Sequence, residues 1–228
     1  MYVDPVTRAP LRDFRSSATG VLYPQVDGIP ILVEDPKGYL QRHTARTAEQ
    51  ADPHDIDAPD PITPHLPANM LGAPGGFGQY LAGVGDAGPD AFGVGFGSKY
   101  APEGPALDAG CGLAPMARRM VALGRDTWAL DVSLDAVLLA RGLLCGGLPT
   151  VGLPTHRNGK RQVRVPFKPI TSGLHFAVAD AALPPFAPGS FAWVHLGDVL
   201  DDVGDAVGLC AEGGVGAGVV WRAADAGG

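Results

Sequence analysis

The run Ala106-Leu107-Asp108-Ala109-Gly110-Cys111-Gly112-Leu113-Ala114-Pro115 constrains this chain more than any other stretch. A short apolar segment leads into an acid, two glycines follow one residue apart, and a helix-like pattern begins at once. A strand that turns this tightly into a helix is the opening unit of a parallel α/β sheet. Glycines let the backbone turn left-handed and approach a ligand closely. The helix start behind Gly112 offers N–H groups that can face a carboxylate or a phosphate.

The flanking residues fit that unit. Pro105-Ala106-Leu107-Asp108 reads as the first strand, and Pro115 suits a first helical turn, where its missing N–H costs little. Met116, Met120, Val121 and Leu123 supply an apolar helix face, and Gly124 a stop. Thr127-Trp128-Ala129-Leu130 is the second strand, ending at Asp131. Ser133 is a good N-cap for the next helix and Asp135 complements its dipole; that helix runs to about Cys145 and Gly146-Gly147. Leu174-His175-Phe176-Ala177-Val178 reads as a third strand, leading to Asp180, and Phe191-Ala192-Trp193-Val194-His195-Leu196 as a fourth. Gly218-Val219-Val220-Trp221 resembles a fifth, after which the chain stops. This order predicts an α/β fold with a doubly wound, mostly parallel sheet and an exposed edge where a partner can add.

An acid about 20 residues beyond such glycines commonly binds ribose hydroxyls, and Asp131 has that place. A dinucleotide fingerprint needs G-x-G-x-x-G, and the third glycine would fall at Pro115, which weighs against NAD. The formal charge of −7 argues against general nucleic-acid binding. Cys111, Cys145 and Cys210 form no CxxC pair, so neither a disulfide framework nor a structural zinc site is expected. No apolar run is long enough to span a membrane, and the first residues lack a signal-peptide layout, so a cytoplasmic protein is the expectation.

Asp108-Ala109-Gly110-Cys111-Gly112 resembles the first motif of the class I S-adenosylmethionine-dependent methyltransferases, of the methyltransferase type 11-like kind. Ala114 replaces that motif's third glycine. Asp180-Ala181, then Leu183-Pro184-Pro185-Phe186 and Gly189-Ser190-Phe191, resemble the later motifs in the right order. The resemblance implies a Rossmann-like fold, apparently lacking its last two strands, and S-adenosylmethionine as cofactor. It implies cofactor contacts at Asp108, Gly110, Cys111 and Gly112, a ribose contact at Asp131, and an adenine lining at Asp180 and Ala181. Many relatives carry an acid where Ala192 stands, so a family contact is missing there. The implied activity is methyl transfer to an unidentified acceptor, a small molecule, an RNA or a protein. The alternatives are a catalytically inactive relative that binds cofactor or a partner, and a nicotinamide-dependent reductase. No catalytic residue is identified. His195 is either a base or a packed core histidine, and Asp198 either a substrate contact or a helix-dipole partner.

The remaining sequence divides into three parts. Residues 1–35 read as a small β-rich unit, with Asp27-Gly28 as a hairpin signal between Leu22-Tyr23-Pro24 and Ile29-Pro30-Ile31-Leu32-Val33. Val3-Asp4-Pro5 with Tyr23-Pro24 and Asp27-Gly28-Ile29-Pro30 resembles the small zinc-ribbon methyltransferase-activator family. Asp4 stands where many of its members carry a cysteine, and the unit has none, so zinc is not expected. Residues 36–104 hold a short helix over 38–50 and then a Pro/Gly-rich linker or lid; His43, His54 and His65 lack metal-ligand spacing and read as solvated. Residues 105–228 are the cofactor domain, with an insertion at 147–173 that carries His156 and five of the chain's 17 Lys and Arg: Arg157, Lys160, Arg161, Arg164 and Lys168. Asn158-Gly159 makes it a hairpin, either an RNA-phosphate contact or a solvated loop balancing nearby acids.

Overall fold

The structure, a computed structural model, describes residues 2–50, 98–146, 150–154, 160–164 and 168–196, with side chains left aside at 45–50, 150–154 and 160–164. In chain order the elements are β1 (Leu11–Arg12), β2 (Arg15–Ser16), β3 (Gln25–Val26), β4 (Ile29–Pro30), α1 (Pro36–Gln50), β5 (Ala106–Ala109), α2 (Pro115–Ala122), β6 (Thr127–Asp131), α3 (Leu134–Cys145), β7 (Thr150–Pro154), β8 (Lys160–Arg164), β9 (Leu174–Val178) and β10 (Trp193–Leu196). Four strands form a parallel sheet in the order β10-β5-β6-β9. The order reverses between β5 and β10, so a topological switch point lies at β5, where an open α/β sheet receives ligands at its carboxyl edge. This is the Rossmann-like architecture expected from the motif order. The expected fifth strand lies outside the described residues, as do Asp198, His54, His65 and most of the Pro/Gly-rich linker or lid before residue 98.

The two sheet faces are covered differently. On one, Ala106, Ala129, Phe176, Val178 and Trp193 pack under α2 and α3, whose Met116, Ala117, Met120, Val137, Ala140 and Leu144 are buried. On the other, Leu107, Ala109, Leu130, Ala177, Val194 and Leu196 meet Phe186 and Phe191 from the connection before β10, with Tyr23 and Leu32 of the N-terminal unit. Successive strand residues alternate between these clusters, as a pleated strand requires. Leu123 departs from the expected apolar helix face. It lies past the last turn of α2 and is 46% exposed, because the backbone is already leaving the helix at Gly124, where φ is +82°.

The N-terminal unit packs directly on the sheet. Asp27 and Gly28 have φ of 49° and 78°, the left-handed pair that a two-residue hairpin turn requires, and β3 pairs with β4 across them. Residue 31 then bridges Val178 in parallel, and the Leu32 N–H donates to the Val178 carbonyl at 2.7 Å, covering the β9 edge. Val3 N–H donates to Pro185 O at 2.9 Å, and the Arg8 guanidinium donates to the carbonyls of Pro184 and Phe186 at 2.5 and 2.7 Å.

Asp4 organises this unit from within. Its carboxylate is buried and accepts the Val6 and Thr7 N–H groups, both at 2.9 Å, and the Thr19 hydroxyl at 3.3 Å. Burial alone would raise its pKa, but bonds from Ser16, Thr7 and Val6 outweigh that and hold it at about 2. Burial, then the Asp4 charge and a bond to it, push the Tyr23 phenol up to about 12. Residues 4 and 7, and 16 and 19, are two i, i+3 pairs facing one another. The Asp4 carboxylate and the Ser16 and Thr19 hydroxyls thus tie the two turns together.

Candidate functional site

The glycine turn is built on alternate left-handed residues: φ is 72° at Gly110, 52° at Gly112 and 57° at Ala114. A left-handed non-glycine residue costs on the order of 1 kcal/mol. Ala114 is fully buried and its N–H donates to Cys111 O at 2.7 Å, so packing and bonding hold it there. Conformational freedom, more than small size, is what a glycine would supply at 114. The N–H groups of Gly110 and Cys111 both reach Leu130 O at 2.9 Å, pinning the turn to the end of β6. A Cβ on Gly112 would meet no atom within 4 Å, so the turn faces open space there.

Two carboxylates converge on this turn from below and beside it. Asp108 is only 1% exposed; one oxygen accepts the Ala117 N–H of α2 at 2.9 Å and the other lies 2.8 Å from His195 Nδ1. The start of α2 therefore already holds a carboxylate, the protein's own. Asp131 is partly exposed; one oxygen accepts the Gly112 N–H and the other the Ser133 N–H, both at 2.9 Å. Cys111 sits between them with its side chain in the helix-side core. Burial, then the Asp108 charge, then the Asp131 charge push its thiol pKa well up, so it stays protonated.

The third strand end lies beside the second. Ala179 N–H donates to Asp131 O at 3.0 Å, and the exposed Asp180 carboxylate turns back onto Ala182 N–H at 2.7 Å. Ala181 is buried and Val132 is 57% exposed at the same edge. Gly110, Gly112, Asp131, Asp180, Ala181 and Val132 thus gather along the carboxyl edge of the sheet, whereas Asp108 and the Cys111 side chain point inward.

In the solved structures, parts of this chain align with the MccD protein (18% identity, 53% of this chain and 46% of that one, TM-score 0.38). They also align with the glycopeptide N-methyltransferase MtfA complexed with sinefungin (15%, 59% and 47%, TM-score 0.38). A third match is Haemonchus contortus phosphoethanolamine N-methyltransferase 2 in complex with S-adenosyl-L-methionine (19%, 66% and 27%, TM-score 0.32). The chain spans about half, or less, of the length of these proteins. No protein-family model and no curated protein matches it.

Several contacts had no signal in the sequence. His195 is buried and shares a hydrogen bond with Asp108 from the adjacent strand, in the register that pairs residues 195 and 108. His43 is half-buried, with Nε2 3.0 Å from Asp135 and its ring stacked on Tyr39, so it is a docking residue of α1 and not a solvated histidine. Ala192 directly precedes β10, at its amino end and on the opposite edge from the glycine turn, and a Cβ added to Gly104 would come within 2.9 Å of its own. Among the described residues no cluster of three or more His, Cys, Asp or Glu is arranged to hold a metal, and no helix is long and apolar enough to cross a membrane.

Proposed function

We propose that the carboxyl edge of this sheet binds S-adenosylmethionine and that the protein transfers its methyl group to an acceptor nucleophile. The observation that carries this reading is the negative field at the glycine turn. Two carboxylates bracket the turn: Asp108 holds the Ala117 N–H beneath it and Asp131 the Gly112 N–H beside it, both at 2.9 Å. A dinucleotide would place a diphosphate at the start of α2, against the buried Asp108 carboxylate. Like charges this close in a low-dielectric setting are costly. S-adenosylmethionine carries no phosphate, and its sulfonium and ammonium outweigh its one carboxylate, so a ligand of net positive charge is drawn to the same field.

The residues fit such a ligand. The open space over Gly112 leaves room for the methionine portion. An ionised carboxylate has about four acceptor sites, so Asp131, with one N–H on each oxygen, retains capacity for two ribose hydroxyls. Val132 and Ala181 offer apolar contact to a base, and Asp180 a polar one. Asp108 acts indirectly, by fixing the start of α2. When bound, the cofactor supplies an activated methyl group, open to in-line displacement. The chain's own task is to align donor and acceptor and to exclude water.

The acceptor is a small molecule, an RNA or a protein. The basic hairpin of β7 and β8 lies in sequence between α3 and β9 and pairs only within itself among the described strands. A thermal-shift titration tests the cofactor: S-adenosylhomocysteine should raise the melting temperature in a concentration-dependent way. No shift at millimolar ligand overturns the reading. Binding without turnover on any acceptor class supports a catalytically inactive relative.

A further inference from the structure

From outside the sheet, Tyr39 of α1 bonds to the turn that follows β6. Its hydroxyl donates to the Val132 carbonyl at 2.7 Å and accepts the Leu134 N–H at 2.9 Å. It therefore bridges the two residues on either side of Ser133. The Ser133 N–H donates to Asp131, whose second oxygen holds Gly112 N–H, each at 2.9 Å. One hydrogen-bonded path thus runs from α1 through the turn at 132–134 to the acid and on to the glycine loop. Ser133 Oγ caps α3 at Ala136 N (3.3 Å), so the first N–H groups of that helix are shared between Ser133 and Tyr39. His43, one turn along α1, ties the same helix start through Asp135.

We infer that Tyr39 is a positioning residue for the nucleoside half of the site, setting the orientation of Asp131 through the 132–134 turn. The inference rests on the cofactor reading above. Asp131 offers hydroxyl-binding capacity only if its carboxylate stays in the plane fixed by Gly112 and Ser133. The Ser133 N–H is aimed by the backbone that Tyr39 clamps on both sides. Tyr39 thereby acts on the ligand through another residue. It makes the N-terminal segment part of the site without placing a group of its own in it.

The test is a double-mutant cycle read by calorimetry with S-adenosylhomocysteine. Tyr39→Phe keeps the ring and its packing and removes both hydrogen bonds. It should weaken affinity about 5- to 20-fold, the range of one to two modest hydrogen bonds. In an Asp131→Asn background the same substitution should weaken it less than 2-fold, because the group through which it acts is already impaired. Equal losses in both backgrounds, or no loss in either, overturn the inference. Hydrogen exchange of the ligand-free protein gives a second reading: Tyr39→Phe should speed exchange over residues 131–136, and unchanged exchange there also overturns it. Wild-type protein that binds no S-adenosylhomocysteine overturns the cofactor reading itself; faster exchange over 131–136 in that case would still show the clamp.

Discussion

Replacing Asp4 by Asn tests how the N-terminal unit is held together. The folded carboxyl titrates at about 2, against 3.8 for an ordinary aspartate. A difference of this size corresponds to about 2 kcal/mol of folding stability. The sign follows from the lowered value. The stabilisation is fully present above the unfolded-state pKa and is lost as pH falls through the folded one. Its window is therefore between about pH 4 and pH 2. The isosteric amide can still accept one backbone N–H but cannot accept from every hydroxyl around it. Urea unfolding at pH 7 should thus show the Asn variant less stable than wild type by about 2 kcal/mol. The gap should narrow toward zero on acidification through the same window. A gap that stays constant down to pH 2, or no gap at pH 7, would refute the role given to this carboxylate. Comparing the two proteins at each pH cancels the other carboxylates, which lie in both.

Asp131→Ala removes the acceptor of Gly112 and Ser133 and the proposed ribose contact. Calorimetry should find S-adenosylhomocysteine affinity reduced by roughly 1–3 kcal/mol, and unchanged affinity would make Asp131 a strand-end cap only. Asp108→Ala orphans the Ala117 N–H and one His195 bond in a buried setting. It should cost about 3 kcal/mol in denaturant unfolding, more than Asp131→Ala does, since Asp131 is partly exposed.

Much of the sheet could be read from residue order because each βα unit carries its own local marks. The acid and glycines before Pro115, Ser133 as N-cap, Gly124 and Gly146 as stops and the Asp27-Gly28 turn all act within a few residues of themselves. Ser133 does accept from Ala136 N, and Gly146 is left-handed, because capping is local chemistry. What was hidden depends on which elements become neighbours. Asp108 meets His195 from 87 positions away, and Tyr39 meets Leu134 from 95 away. Neither contact leaves a periodic trace, since a single polar side chain reaching across an interface alters no hydrophobic pattern. The place of Asp108 in the motif says nothing about which sheet face it points to. Pleating turns it under α2, where it bonds the helix start. The cost at Ala114 was likewise invisible, because alanine looks like an adequate substitute until the backbone angle is known.

The central claim is that the field at the glycine turn selects a sulfonium nucleoside over a diphosphate dinucleotide. It is tested most directly by measuring, in one buffer at one ionic strength, the dissociation constants of S-adenosylmethionine and NADH for the wild-type protein. The account predicts that S-adenosylmethionine binds at least tenfold more tightly, a difference of about 1.4 kcal/mol or more. NADH binding as tightly or more tightly would contradict it.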